Sequence, residues 1–161
     1  GPKSLRGGGL PTDRRCEAGE LYPLDLFPAP ALYFGDTCRT LCVGGAPTAG
    51  QRDSHRRVSE ALALGESLLK PGVAGRAIYG AVRDHLNCPS FFHHAGHGIG
   101  LHGHEAPRLI PECDDVLEPG DVVTIEPGLY LEANRGGLRL ENNYLITETG
   151  FVKLFDDPLA F

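Results

Sequence analysis

Carboxylates stand in this chain where a folding polypeptide tolerates them least. Asp25 lies in Tyr22-Pro23-Leu24-Asp25-Leu26-Phe27, Glu126 closes Val122-Val123-Thr124-Ile125, and Glu141 falls between Leu138-Arg139-Leu140 and Tyr144-Leu145-Ile146. Such apolar, β-branched and aromatic runs predict strands, and the alternation places Asp25 among apolar neighbours on a strand that is covered. A buried carboxylate costs several kcal/mol unless it is paired or coordinated. Whatever this chain folds into must therefore bring these acids a partner.

Taken singly, each acid has an ordinary reading as a turn cap or an ion-pair partner, and Arg139 is a candidate partner for Glu141. Taken together with Asp36 in Tyr33-Phe34-Gly35-Asp36-Thr37 and His97 in the Gly-rich run 93–107, they form a set of four carboxylates and one imidazole. That set calls for dications. Its hard, oxygen-rich character suits Mn²⁺ first, with Co²⁺, Zn²⁺ and Fe²⁺ as alternatives. With two carboxylates bridging, a pair of ions would lie ~3.5–4 Å apart, the spacing of two-metal hydrolases. Cys38 and Cys42 form one C-x3-C pair without a second, a weak ligand signal. Gly96, Gly98 and Gly100 lack a dinucleotide-binding context and are read as letting the backbone pass close to ions and substrate, with tight turns as the alternative. His94 and His102 are read as neighbours without a role.

The segments FFHHAGHGIGLHGHEAPRL, LEPGDVVTIEPGLY and GGLRLENNYLITETG, with Asp25 and Asp36 ten residues apart upstream, resemble the pita-bread metallopeptidases, in particular the aminopeptidase P and prolidase branch. The resemblance covers about Gly19 to Phe161. It implies an α+β pita-bread (creatinase/aminopeptidase) fold, a curved antiparallel-rich sheet with helices on its outer face. It implies two divalent ions, with Asp25 on one, Asp36 and Glu141 bridging, and His97 and Glu126 on the other. It further implies His104 as a substrate-contacting histidine near the scissile carbonyl, His93 as an active-site histidine beside the metals, and Arg139 as the arginine preceding the bridging glutamate. The implied activity is hydrolysis at an Xaa-Pro bond, with Glu126 relaying a proton.

The same resemblance marks departures. Gly8 and Gly9 occupy positions where the prolyl-peptide branch has a further histidine, and the family's first half begins upstream of this sequence. Residues 1–18 are accordingly expected to be a Gly-rich remnant, 19–161 the C-terminal part of the catalytic domain, and a homodimer or a covering partner chain is expected over the gap. Methionine is absent throughout the 161 residues, and Gly1-Pro2 is read as a processing scar. Two other functions stay open: a peptide- or protein-binding module with lost catalysis, and an amidohydrolase acting on a non-peptide amide.

A net charge of −6 argues against nucleic acid or anionic membrane as a partner. The odd count of five cysteines and the lack of a long apolar run favour reduced thiols and a cytoplasmic setting. Along the chain, 21–43 is predicted as a hairpin bent at Pro28-Ala29-Pro30, and 48–70 as a helix opened by the capping box Thr48-x-x-Gln51. A second helix over 73–86 with Val73, Ala77, Ile78, Ala81 and Val82 inward, a Gly-rich crossing at 91–106, a polar loop at 107–120 and a second strand pair over 121–152 complete the expectation. Each hairpin carries two acids, a faint internal echo.

Overall fold

Antiparallel pairing begins with β1 (Leu21–Leu26) and β2 (Thr37–Cys42), in register from Leu21 opposite Cys42 to Leu26 opposite Thr37. A computed structural model of the protein describes residues 1–10 and 12–161; Pro11, in the expected N-terminal remnant, lies outside the described residues. Two helices follow, α1 (Ala49–Ser67) and α2 (Gly75–Leu86), then β3 (Gly96–Gly98), β4 (Glu105–Leu109), β5 (Val122–Ile125), β6 (Gly128–Leu131), β7 (Gly136–Arg139), β8 (Asn142–Ile146) and β9 (Phe151–Lys153). The strands form a five-stranded sheet in the order β4-β3-β5-β8-β9 and two hairpins, β1-β2 and β6-β7.

Helix α1 starts where the capping box places it. The Thr48 hydroxyl accepts from the Gln51 backbone N–H, and the Gln51 side chain accepts from the Thr48 N–H. The Gln51 amide also donates to the carbonyls of Gly19 and Asn134, so the cap ties the helix to two distant loops. Val58, Leu62 and Leu69, at helical spacing, are all buried. With Ile78, Val82 and Leu86 of α2 they cover one side of a core whose other side is Val123, Ile125, Leu129, Leu138, Leu140 and Tyr144. Gly65 lets α1 pack closely on both β5 and α2, since a Cβ there would lie 2.9 Å from Ile125 Cγ2 and 3.2 Å from Val82 Cγ2.

Four expectations need correction. Helix α1 stops at Ser67, short of Lys70, because the Leu68 and Leu69 N–H groups already close tighter turns onto Gly65 and Glu66. Helix α2 begins at Gly75, because Val73 is held in extended pairing by the Leu117 N–H; Ala77 faces solvent. Residues 105–109 are strand β4 rather than loop, with Gly96 opposite Leu109 and with Pro107 and Leu109 buried. The stretch 121–152 holds five strands, β5 to β9, instead of one pair. The acid echo has a partial structural form: Ile125 stands opposite Asn142, so Glu126 and Glu141 flank the end of the β5–β8 pair, whereas in the first hairpin Asp36 just precedes β2 and Asp25 lies inside the pair, opposite Cys38.

The first hairpin overturns the expectation that its apolar residues enclose Asp25. Tyr22, Leu24, Leu26 and Leu41 face outward at 42, 37, 55 and 44% exposure. Leu21 and Asp25 take the other face, toward β7, and Asp25 is half-buried. The alternation is intact. Its polarity is set by the acid site on one side and by the lack of a covering layer among the described residues on the other.

Candidate metal centre

Strand pairing brings the predicted ligands together from four distant segments. The Glu141 N–H donates to Cys38 O at 3.0 Å, and the Thr40 hydroxyl both donates to Arg139 O at 2.9 Å and accepts from Arg139 N–H at 3.0 Å. These bonds fix the β1–β2 acids beside the β7–β8 junction. On the other side, the Glu126 N–H donates to Ala95 O at 2.9 Å and the His97 N–H to the Thr124 hydroxyl at 3.1 Å. The glycines around His97 serve this approach: a Cβ on Gly96 would lie 2.0 Å from Thr124 O, and one on Gly98 2.0 Å from Ala106 O. Neither has a left-handed φ, so tight turns are not the reason, and the close neighbours are the backbones of β5 and β4.

Asp36, His97, Glu126 and Glu141 are buried, with at most 4% residual exposure, while Asp25 is partly exposed. One donor set is Asp36, His97 and Glu141, whose donor atoms lie within 4.8 Å of one another; a second is His93, His94 and Glu126. The two meet at Glu126 Oε1, 3.3 Å from His97 Nε2, which is itself 3.6 Å from Asp36 Oδ2. Asp25 belongs to neither set. Its Oδ2 accepts a close hydrogen bond from Arg139, whose Nε also lies 3.8 Å from Glu126 Oε2. Arg139 thus pairs with Asp25 and Glu126 rather than with Glu141.

Orphaned lone pairs test whether these residues fit divalent ions. Asp25 Oδ1, Asp36 Oδ1, His97 Nε2, Glu126 Oε1 and Glu141 Oε1 are all buried and make no hydrogen bond among the described residues. Each such atom costs about 1–3 kcal/mol if nothing meets it. All five predicted ligands carry one, and a cation is the partner that suits every one of them. His97 is oriented for the role, since Nδ1 faces Gly98 O at 2.9 Å and so leaves Nε2 free.

The charges of the metal-free cluster agree. Burial and the neighbouring Glu126 and Asp36 push the Glu141 carboxyl well above its usual range, and burial, only partly opposed by Arg139, raises Asp25. Burial lowers His97, but Asp36 and Glu126 outweigh it and hold the ring up at about 9. Burial also opposes ionisation of Glu126, yet His94 and His97 keep it charged. The cluster substitutes protons for the charge that dications would supply.

His104, the predicted carbonyl contact, is solvent-exposed, with its ring 4.1 Å from that of His97. Together with His94, His97, Glu105 and Arg108 it lines a cavity of about 170 Å³. A larger hollow of about 350 Å³ lies under the N-terminal segment between Pro2, Leu10 and Tyr22 and holds none of the ligands. His93 stands 3.9 Å from Glu126 Oε2 with both ring nitrogens engaged. A carbonyl only accepts, so Nδ1 carries the proton given to His94 O at 2.7 Å, and Nε2 takes the Tyr130 hydroxyl at 2.7 Å. Burial lowers His93 to about 4, which keeps this neutral form. Tyr130 was not singled out from the sequence. His94, set aside there as a neighbour without a role, has Nδ1 3.1 Å from Glu126 Oε1.

A buried acid–imidazole cluster held between antiparallel strands, with helices packed over the outside, makes a candidate divalent-metal centre on a pita-bread fold. The chain belongs to metallopeptidase family M24, whose family model matches residues 4–148. It is 37% identical to an uncharacterized peptidase, YqhT, of Bacillus subtilis over 93% of this chain and 43% of that protein. It is 36% identical to an Xaa-Pro dipeptidase of Pyrococcus furiosus over 96% of this chain and 45% of the relative. Among solved structures, the prolidase from Pyrococcus furiosus superposes with a TM-score of 0.89 at 35% identity, covering 96% of this chain and 47% of that one. The X-Pro aminopeptidase from Thermotoga maritima superposes with a TM-score of 0.90 at 30% identity, covering 98% and 45%. The chain spans less than half the length of these relatives.

Proposed function

We propose that this chain carries the catalytic centre of a dinuclear metallopeptidase that cleaves peptides at an Xaa-Pro bond. The observation that supports it most is the convergence of five buried, hydrogen-bond-free donor atoms on Asp25, Asp36, His97, Glu126 and Glu141. The names of the relatives, an Xaa-Pro dipeptidase and an X-Pro aminopeptidase, support the substrate class. In this reading Asp25 would hold one ion, His97 and Glu126 the other, and Asp36 and Glu141 would contribute to both; the oxygen-rich set favours Mn²⁺. Such ions supply Lewis acidity at a carbonyl and activate water near neutral pH.

The chain's own groups do the rest. Arg139 fixes Asp25 and Glu126 relative to each other, and the Tyr130–His93 pair buttresses the Glu126 side. Exposed His104, which lines the cavity, is proposed to donate to the scissile carbonyl oxygen as charge develops there. Glu126, which the bound ions would hold ionised, would pass a proton from the activated water to the leaving amine.

The test is elemental analysis after loading with Mn²⁺, followed by a panel of Xaa-Pro dipeptides, longer Xaa-Pro peptides and N-acyl amides. About two ions per chain and turnover confined to the proline peptides are expected. Absence of bound metal after loading, or turnover of acyl amides alone, would refute the proposal.

The outward apolar face of β1–β2 supports a covering partner, here a second copy of the chain. Tyr22, Leu24, Leu26 and Leu41, with nearby Phe27 at 46% exposure, form a patch of the kind that associating proteins bury. Light scattering at micromolar concentration should return more than one chain mass; a monomer at all concentrations would refute it. We further place the protein in the cytoplasm: Cys16, Cys38, Cys42, Cys88 and Cys113 are free thiols, and no helix of the described residues is long and apolar enough to cross a membrane.

A further inference from the structure

The geometry points to His94 as an additional protein ligand, making one half of the centre nitrogen-rich and selective for a borderline ion such as Zn²⁺ or Co²⁺ over Mn²⁺. This rests on the dinuclear reading above and distinguishes its two halves. His94 Nδ1 is buried, makes no hydrogen bond among the described residues, and stands 3.1 Å from Glu126 Oε1. His97 Nε2, equally unbonded, lies 3.3 Å from the same oxygen, and the two imidazole rings are 5.1 Å apart. Donors bound to one ion at ~2.0–2.2 Å are separated from each other by roughly 2.8–3.1 Å in an octahedron and roughly 3.3–3.6 Å in a tetrahedron. These contacts have that length without being hydrogen bonds, as the edges of a coordination polyhedron do.

Neighbouring atoms fix the assignment. His93 offers no free nitrogen, because one ring atom faces His94 O and the other the Tyr130 hydroxyl. The backbone that carries His94 is pinned from both strands, by the Ala95 N–H on Leu109 O and the Glu126 N–H on Ala95 O. Two imidazoles and one carboxylate form the set that suits Zn²⁺, Co²⁺ and Fe²⁺, whereas Asp25, Asp36 and Glu141 remain an all-oxygen half that suits Mn²⁺. A mixed pair of ions follows.

Metal binding by the whole chain tests this without recourse to turnover. Wild type and the variants His94→Ala and His94→Gly are stripped of metal and titrated with Zn²⁺, Co²⁺ and Mn²⁺ in competition with a chromophoric chelator. Loss of a direct ligand should weaken Zn²⁺ and Co²⁺ binding at one site by well over ~10²-fold, above the 10–100-fold typical of an indirect partner, and leave Mn²⁺ binding at the other, all-oxygen site within about twofold. The visible absorption of the Co²⁺-loaded protein should shift in both variants, and added imidazole should restore it in His94→Gly. Unchanged Zn²⁺ affinity, an equal loss for all three ions, or an unshifted Co²⁺ spectrum would overturn the assignment while leaving the dinuclear site standing. Wild type that binds none of the ions would remove both.

Discussion

Replacing Gly96 by alanine adds a single methyl group where two strands of the sheet approach most closely on the β5 side. That methyl would sit 2.0 Å from Thr124 O and 2.8 Å from Thr124 C, both backbone atoms of β5 that cannot swing away. Ordinary contact needs about 3.4 Å or more, so β3 and β5 must separate by over 1 Å. Besides the β3–β5 ladder itself, three bonds cross that gap: Glu126 N–H to Ala95 O, Ile99 N–H to Val122 O, and His97 N–H to the Thr124 hydroxyl. At about 0.5–1.5 kcal/mol each, their loss amounts to roughly 2–4 kcal/mol, a large part of a typical domain's ~5–15 kcal/mol. Gly96 has no left-handed φ, so the penalty is steric and not conformational. Two companions calibrate it. In Gly100→Ala the methyl meets the end of the Glu105 side chain at 2.7 Å, which can turn aside, and little loss is expected. Gly80, in α2, has nothing within 4 Å, and Gly80→Ala should stabilise by about 0.5–1 kcal/mol. Urea denaturation of the metal-free proteins measures all three. A Gly96→Ala variant as stable as Gly80→Ala would refute the steric reasoning.

Glu141→Ala and Asp36→Ala should abolish tight binding of the metal pair, whereas Asp25→Ala, which removes a ligand of one ion, should leave one ion per chain; elemental analysis decides. His104→Ala should keep its metal and lose ~10²–10³ in kcat and kcat/KM on an Xaa-Pro peptide. Equal loss of metal and activity would place His104 among the ligands instead. Glu20, hydrogen-bonded to Arg14 and to the Glu17 N–H, is held at about 2 in the folded chain against an ordinary 4.5. A depressed carboxyl stabilises fully above its unfolded value, and that contribution fades as pH falls from 4.5 toward 2. Glu20→Gln should therefore be clearly less stable than wild type at pH 7 and nearly level with it near pH 2. A gap that persists in acid would show that the loss is not electrostatic.

What could be read from the sequence was what local chemistry decides. The capping box fixed the start of α1, and acids in apolar runs announced a charged cluster before any geometry was known. What escaped depended on which element packs where. Strand β4 contains Pro107, which removes a ladder donor and disguises a strand as a loop. The outward turn of Tyr22, Leu24 and Leu26 leaves that face without a covering layer among the described residues, which alternation cannot express. His94 escaped because adjacent side chains on an extended segment point apart, whereas the chain at 91–95 is irregular and lets His93 and His94 both approach Glu126. Tyr130 carried no signal at all, since its partner lies far back in the chain at His93.

The five acid and imidazole donors come from β1, the loop before β2, β3, the end of β5 and the β7–β8 junction, and they are spread almost from one end of the chain to the other. An unfolded chain therefore offers a cation no ready-made chelate, and ions held here bind the native state almost alone. Occupancy then acts as a thermodynamic clamp: at a free ion concentration of a hundred times Kd it adds about 2.7 kcal/mol to the unfolding free energy. The apparent melting temperature should climb with the logarithm of the metal concentration, and a chelator would act as a denaturant without touching a single apolar contact.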